Sequence, residues 1–144
     1  MISISSLNIP YRPGPVSTED VGLHTWAASL VLADYLLENS DVVKNQRILE
    51  LGAGSAVPSI ISSLFGNVTA TDQKHVLSLT HRSVALNQCL IKNPINVAEL
   101  DWAKSASMRE SFDVILAADF CYNSRSCQNF FKCLKHFMSR GLRY

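Results

Sequence analysis

The sequence predicts an α/β domain, a parallel sheet sandwiched between helices, and three observations carry that expectation. Short apolar runs alternate along the chain with segments of helical periodicity. Such alternation implies right-handed crossovers and a sheet covered on both faces. One run, Arg47-Ile48-Leu49-Glu50-Leu51, passes directly into Gly52-Ala53-Gly54-Ser55 and then into a helix-compatible stretch. That outline is a buried strand, a tight turn and a helix start, the usual cradle for a nucleotide-sized ligand. Finally, the strand-like runs end at Gly52, at Asp72, at Asp101 with Trp102, and at Asp119. In open α/β sheets that edge is where ligands bind.

The elements follow in order. Residues 1–16 hold Pro10, Pro13, Gly14 and Pro15 and read as an extended lead-in, leaving 17–144 as the domain. Ser17-Thr18-Glu19-Asp20 supplies caps and acids for a helix over 21–37, with Trp26, Leu30, Ala33 and Leu37 inward. A first buried strand spans 48–51. A helix over 56–65 follows, tolerating Pro58 in its first turn and ending at Gly66. Residues 68–71 form a second strand, and 75–87 a helix with Val76, Leu79, Val84 and Leu86 inward. A third strand runs over 95–100. Residues 112–118 form a fourth, expected to be buried on both faces. The last helix spans 124–139, with Cys127, Phe130, Phe131, Leu134, Phe137 and Met138 as one stripe and Gly141 as its stop.

Composition narrows the functions. At 144 residues the chain supports one domain with a real core. A net charge of +1 gives no pull toward nucleic acid or an anionic membrane. No apolar run approaches the length of a membrane span. Cys89, Cys121, Cys127 and Cys133 lie scattered, without zinc or redox spacing. The four histidines share no ligand spacing either, so no metal is expected. The start lacks a secretory pattern, and the reading is an intracellular protein, nuclear or cytoplasmic, with reduced thiols.

Two ligands fit the glycine turn. Gly52 to Asp72 matches the interval between a dinucleotide turn and its ribose-binding acid. However, Val57 stands where the third glycine belongs, and Glu50 would face a pyrophosphate, which it repels. S-adenosylmethionine has the ribose diol, no phosphate, a sulfonium and an ammonium. Glu50 then becomes a direct or water-mediated partner for positive charge. Asp72 keeps the ribose hydroxyls, and Gly52 and Gly54 admit the ligand to the backbone. The acidic edge favours this donor.

At this point the residues resemble a known family. Glu50-Leu51-Gly52-Ala53-Gly54 looks like the first motif of the seven-β-strand methyltransferases. Val21-Gly22-Leu23-His24-Thr25-Trp26 with Ala33-Asp34-Tyr35-Leu36 resembles the helix that precedes the core in their protein-lysine branch, which acts on non-histone proteins. Leu100-Asp101-Trp102 resembles the motif after the third strand, and Asp119-Phe120-Cys121-Tyr122 the Asp-x-x-Tyr signature after the fourth. With Ala85-Leu86-Asn87, the set is most similar to the methyltransferase-like protein 22 branch.

The resemblance implies a Rossmann-like three-layer α/β/α sandwich of the class I S-adenosylmethionine-dependent methyltransferases. The family's fold continues through three more strands, and this sequence ends near the expected start of the fifth. Cofactor contacts are implied for Trp26, Glu50, Gly52, Gly54, Asp72, Trp102 and Ala118. Asp119 and Tyr122 are implied at the catalytic position beside the substrate amine. The implied partner is a protein substrate, with chaperone-type proteins among the family's partners, and neither nucleic acid nor membrane is expected. Ser55-Ala56 departs from the Thr-Gly type pair usual in the family.

In this mechanism an attacking lysine has to be neutral, against an ordinary pKa of about 10.4. Asp119 captures and orients the incoming ammonium, and Tyr122 shapes the channel. Simpler readings stand beside these roles. Asp119 or Asp72 serves as a helix cap, and Trp26 or Tyr122 as packing. The alternative for the whole is an inactive shortened form or binding module that retains the cleft.

Overall fold

A computed structural model describes residues 3–10 and 23–140. Its elements are α1 (Ala27–Glu38), β1 (Arg47–Leu51), α2 (Val57–Ser62), β2 (Asn67–Asp72), α3 (Leu77–Leu86), β3 (Ile95–Glu99), β4 (Val114–Ala117) and α4 (Ser124–Met138). Short 3-10 turns lie at Ile4–Ser6, Ser40–Val42 and Trp102–Ser107. The strands form one sheet in the order β3-β2-β1-β4, and every pairing is parallel.

Period-two alternation sorts the strand residues onto two faces. Ile48, Val68 and Leu116 join Ala33, Leu36, Val57 and Ile61 beneath α1 and α2. Leu49 and Leu51 join Leu100, Phe112, Phe130, Cys133 and Phe137 beneath α4. Both layers therefore meet at β1, the strand that leads into the glycine turn. Arg47 ties the opposite end of β1 to the approach to β4, with its backbone N–H and Nε on Asp113 Oδ2 and Nη2 on Oδ1.

Several expectations are corrected. The first helix begins at Ala27, after Trp26 at its cap, and the capping run at 17–20 lies outside the described residues, as does Gly141. β4 is not buried on both faces, because it lies at one edge of the sheet among the described residues; only Leu116 is buried within it. Gly66 has no left-handed backbone. Its small size is needed because a Cβ there would run into the carbonyl oxygens of Val43 and Gln46. On α3 the buried residues are Thr80 and Ser83, followed by Asn87, whereas Leu86 is exposed. On α4 the buried stripe is Phe130, Cys133 and Phe137, leaving Phe131 and Met138 in solvent. The lead-in is also more than extended chain. Its Ile4, Leu7 and Ile9 pack on the core, and Asn8 exchanges backbone bonds with the buried Asn87 amide at 2.8 and 2.9 Å.

Candidate cofactor cleft

β1 delivers its chain into a turn that only small residues tolerate. Gly52 and Gly54 take φ values of +74° and +50°. A Cβ on Gly52 would also sit 3.1 Å from the Trp102 ring. The turn's amides face inward: Gly52 and Ala53 both donate to the Thr71 carbonyl, at 3.0 and 2.9 Å, and Gly54 donates to Asp72 Oδ2 at 2.8 Å. Behind it, the Thr80 hydroxyl donates to the Gly54 carbonyl at 2.8 Å, and the Ser83 hydroxyl donates to the Ser55 carbonyl. The polar face of α3 is buried because it satisfies these carbonyls.

Glu50 is only 2% exposed. Ala56, at the start of α2, gives that helix no side-chain cap. Glu50 fills the gap from β1, its Oε2 accepting from the Ser59 backbone N–H at 3.0 Å and from the Ser59 hydroxyl. Burial pushes the Glu50 carboxyl up to about 8, against the pull of the Ser59 bonds, with the nearby Asp72 charge adding to the rise. Asp72 is raised too, chiefly by burial, although the Gly54 and Gln73 amides oppose the shift.

All seven expected cofactor residues, Trp26, Glu50, Gly52, Gly54, Asp72, Trp102 and Ala118, line one cavity of about 210 Å³ at the carboxyl edge of the sheet. Tyr122 lines it as well. Trp102 is braced edge-to-face on Phe130, with ring centres 5.2 Å apart. Asp119 is not in this wall; it is exposed, with a left-handed φ of 56°. The expected convergence of three acids is therefore corrected. Asp101 turns away to cap the 3-10 helix after it, accepting from Ala103 N–H at 2.9 Å, and only Asp72 joins Glu50 in the cleft.

The helix-cap readings fail on geometry. Asn123 caps α4 through a reciprocal box with Ser126, leaving Asp119 no such role. Asp72 is four residues short of the α3 cap at Val76. Burial pushes the Tyr122 hydroxyl up to about 12, with Asp119 and then Asp72 contributing charge, so it stays protonated at neutral pH. Sequence reasoning missed His24, Ser29, Gln73, His75, Asn123 and Ser126 in the lining. His24, Gln73, His75 and Asn123 lie outside helices and strands, and Ser29 and Ser126 are polar residues in the first turns of α1 and α4, so no apolar periodicity marks them. It also expected four reduced thiols, whereas Cys121 and Cys127 are joined in a disulfide. The turn into α4 brings their Cα atoms within 5.0 Å, which linear spacing does not reveal.

Residues 15–141 match the lysine methyltransferase family. The chain belongs to that family. It is 31% identical to mouse methyltransferase-like protein 22, over 85% of this chain and 37% of that protein. It is 35% identical to EEF1A lysine methyltransferase 3 of Xenopus tropicalis, over 71% of this chain and 46% of that one. The chain thus spans less than half the length of these curated relatives. Among solved structures it is similar to Synechocystis magnesium protoporphyrin IX methyltransferase with bound S-adenosylhomocysteine, at TM-score 0.59 and 15% identity, over 88% of this chain and 58% of that one. The fold of this chain is that of the class I S-adenosylmethionine-dependent methyltransferases.

The cleft fits the methyl donor of that class on its own chemistry. Neither Lys nor Arg is among the described residues lining it, while Glu50 and Asp72 are. The Gly52, Ala53 and Gly54 amides are bonded internally, so these three form no nest of donors for a phosphate. Gly52 leaves open the space beneath the Trp102 ring that a side chain would fill.

Proposed function

We propose that this protein is an S-adenosylmethionine-dependent protein methyltransferase that methylates a lysine side chain of a non-histone protein. The observation that carries the reading is a cleft beside the glycine turn that holds the buried Glu50 and half-buried Asp72 carboxyls, with neither Lys nor Arg among its described lining residues. Bound there, the donor supplies an electrophilic methyl on a sulfonium. Asp72 holds the ribose hydroxyls with the lone pairs its two backbone bonds leave free. Glu50 offers negative charge to the cationic end, and Trp26 and Trp102 wall the cleft. Asp119, at the exposed rim, captures the substrate ammonium, and the protonated Tyr122 shapes the entry. Proton loss to water leaves the amine ready for in-line attack, and alignment supplies much of the rate.

Calorimetric titration with S-adenosylmethionine and S-adenosylhomocysteine, paired with radiolabelled methyl transfer to cell-extract proteins, tests this. Micromolar binding with labelled lysine supports the whole reading. Absence of heat from a folded sample overturns it. A second reading, a donor-binding module without turnover, is favoured by the position of Asp119 outside the cavity wall. Binding without label would select it.

A further inference from the structure

The segment 118–126 carries Tyr122, Asn123 and Ser126 in the cleft wall. Its chain turns through a left-handed backbone at Asp119 and is held by the Asn123–Ser126 box at the start of α4. Across it lies the disulfide between Cys121 and Cys127, six positions apart. Cys121 is exposed and Cys127 half-buried, so a solvent thiol can reach the bond. The remaining cysteines serve different ends. Cys89 is free and exposed, and Cys133 is fully buried beside Ser105.

We propose that Cys121 and Cys127 form a reversible redox latch, the disulfide holding segment 118–126 against the cleft and the dithiol releasing it. Exposed disulfides are the labile and regulatory kind, whereas structural ones resist reduction. A bond closing so short a loop restrains chain locally, so its effect falls on this segment more than on the fold.

The chemistry balances with glutathione disulfide as oxidant. The Cys121 thiolate attacks one sulfur of glutathione disulfide, and one glutathione thiolate leaves. The Cys127 thiolate then attacks Cys121 Sγ and expels the second. Two protein thiols lose two electrons and two protons, and one glutathione disulfide becomes two glutathione thiols. Reduced glutathione runs the sequence backwards. Once released, Tyr122 and Asn123 leave the wall for part of the time, and donor affinity falls with the competent fraction. That last consequence rests on the proposed function; the latch itself does not.

The test uses the full chain with Cys89→Ser, which removes the exposed free thiol. Samples equilibrated at stepped ratios of reduced to oxidised glutathione are acid-quenched and alkylated with a maleimide, and the mass counts free thiols. The latch predicts that two thiols disappear together as the ratio falls, and return on reversal. Hydrogen exchange over 118–127 is expected to be faster in the reduced form. Titration with S-adenosylhomocysteine is expected to be roughly 3- to 10-fold weaker there, the loss that a competent fraction of about a third to a tenth produces. Cys121→Ser and Cys127→Ser should each show the reduced behaviour at every ratio. Two thiols that stay alkylatable at the most oxidising ratio overturn the latch, and so does identical exchange over 118–127 in both states. If neither form binds S-adenosylhomocysteine, the donor reading fails, and the latch is still decided by thiol trapping and exchange.

Discussion

A carboxyl cut off from water has little to ionise into, and Glu50 is in that position, with a pKa near 8 against an ordinary 4.5. Between those two values the unfolded chain binds fewer protons than the folded one. Stability of the free protein therefore falls as pH rises from about 4.5 to about 8, and the penalty is complete above that. Glu50→Gln keeps an oxygen for both Ser59 bonds and removes the titration. Thermal unfolding should show the variant several degrees more stable than the parent at pH 8, with the gap closing toward pH 5. A bound cation favours the ionised carboxyl, so donor affinity should rise through neutral pH in the parent and stay flat in the variant. Asp72 makes a complementary prediction. Asp72→Asn retains an acceptor for one backbone amide but loses charge-assisted bonds to the ribose, worth roughly 1.5–3 kcal/mol, or about 10- to 100-fold in donor affinity by titration. Gly52→Ala carries two penalties, the left-handed φ and the 3.1 Å approach to Trp102. About 1–2 kcal/mol of destabilisation is expected from the backbone alone, measured by denaturant unfolding. Residues of this kind were legible in the sequence, because an acid at a strand end and glycines after a strand are local signals.

Elements were less legible where polar groups are buried. Helical periodicity counts apolar positions, and α3 buries Thr80, Ser83 and Asn87 instead. Their value lies in carbonyls contributed by a turn some twenty-five residues earlier, a relation no local window contains. Thr80→Val leaves the Gly54 carbonyl without its buried donor and should cost about 1–3 kcal/mol in denaturant unfolding. Thr80→Ser should recover most of it. Donor affinity should fall in step, since α3 holds the turn from behind. The α4 stripe was drawn partly wrong for a related reason: Phe130 and Phe137 are buried as expected, but Cys133 completes the line and Phe131 and Met138 do not belong to it. Its aromatic residues suggested Phe131, but Cys133 faces the sheet, and Phe131 stays 57% exposed. The 3-10 helix at Trp102–Ser107 has no periodicity long enough to register.

At the scale of the whole molecule, the parallel sheet and the location of the cleft at its carboxyl edge followed from alternation of elements and from crossover handedness. What alternation does not settle is the strand order, which places β3 at one edge and β4 at the other. The outer edge of β4 has no strand partner among the described residues, and the nearby helix exposes Phe131 and Met138. Unpaired edges and exposed apolar side chains favour association. Sedimentation velocity should show self-association of this 144-residue chain that grows with concentration, and Phe131→Asp should reduce it without changing thermal stability.

The inward-facing amides of the glycine turn have a consequence for selectivity among adenosine compounds. A donor built on adenosine shares its base and ribose with ATP, so neither group can tell the two apart. Discrimination falls to what lies past the ribose, where the proposed pose puts the Glu50 carboxyl and where the Gly52, Ala53 and Gly54 amides are already bonded to Thr71 and Asp72. The turn thus acts as a charge filter. A large excess of ATP should leave the calorimetric titration with S-adenosylhomocysteine unmoved.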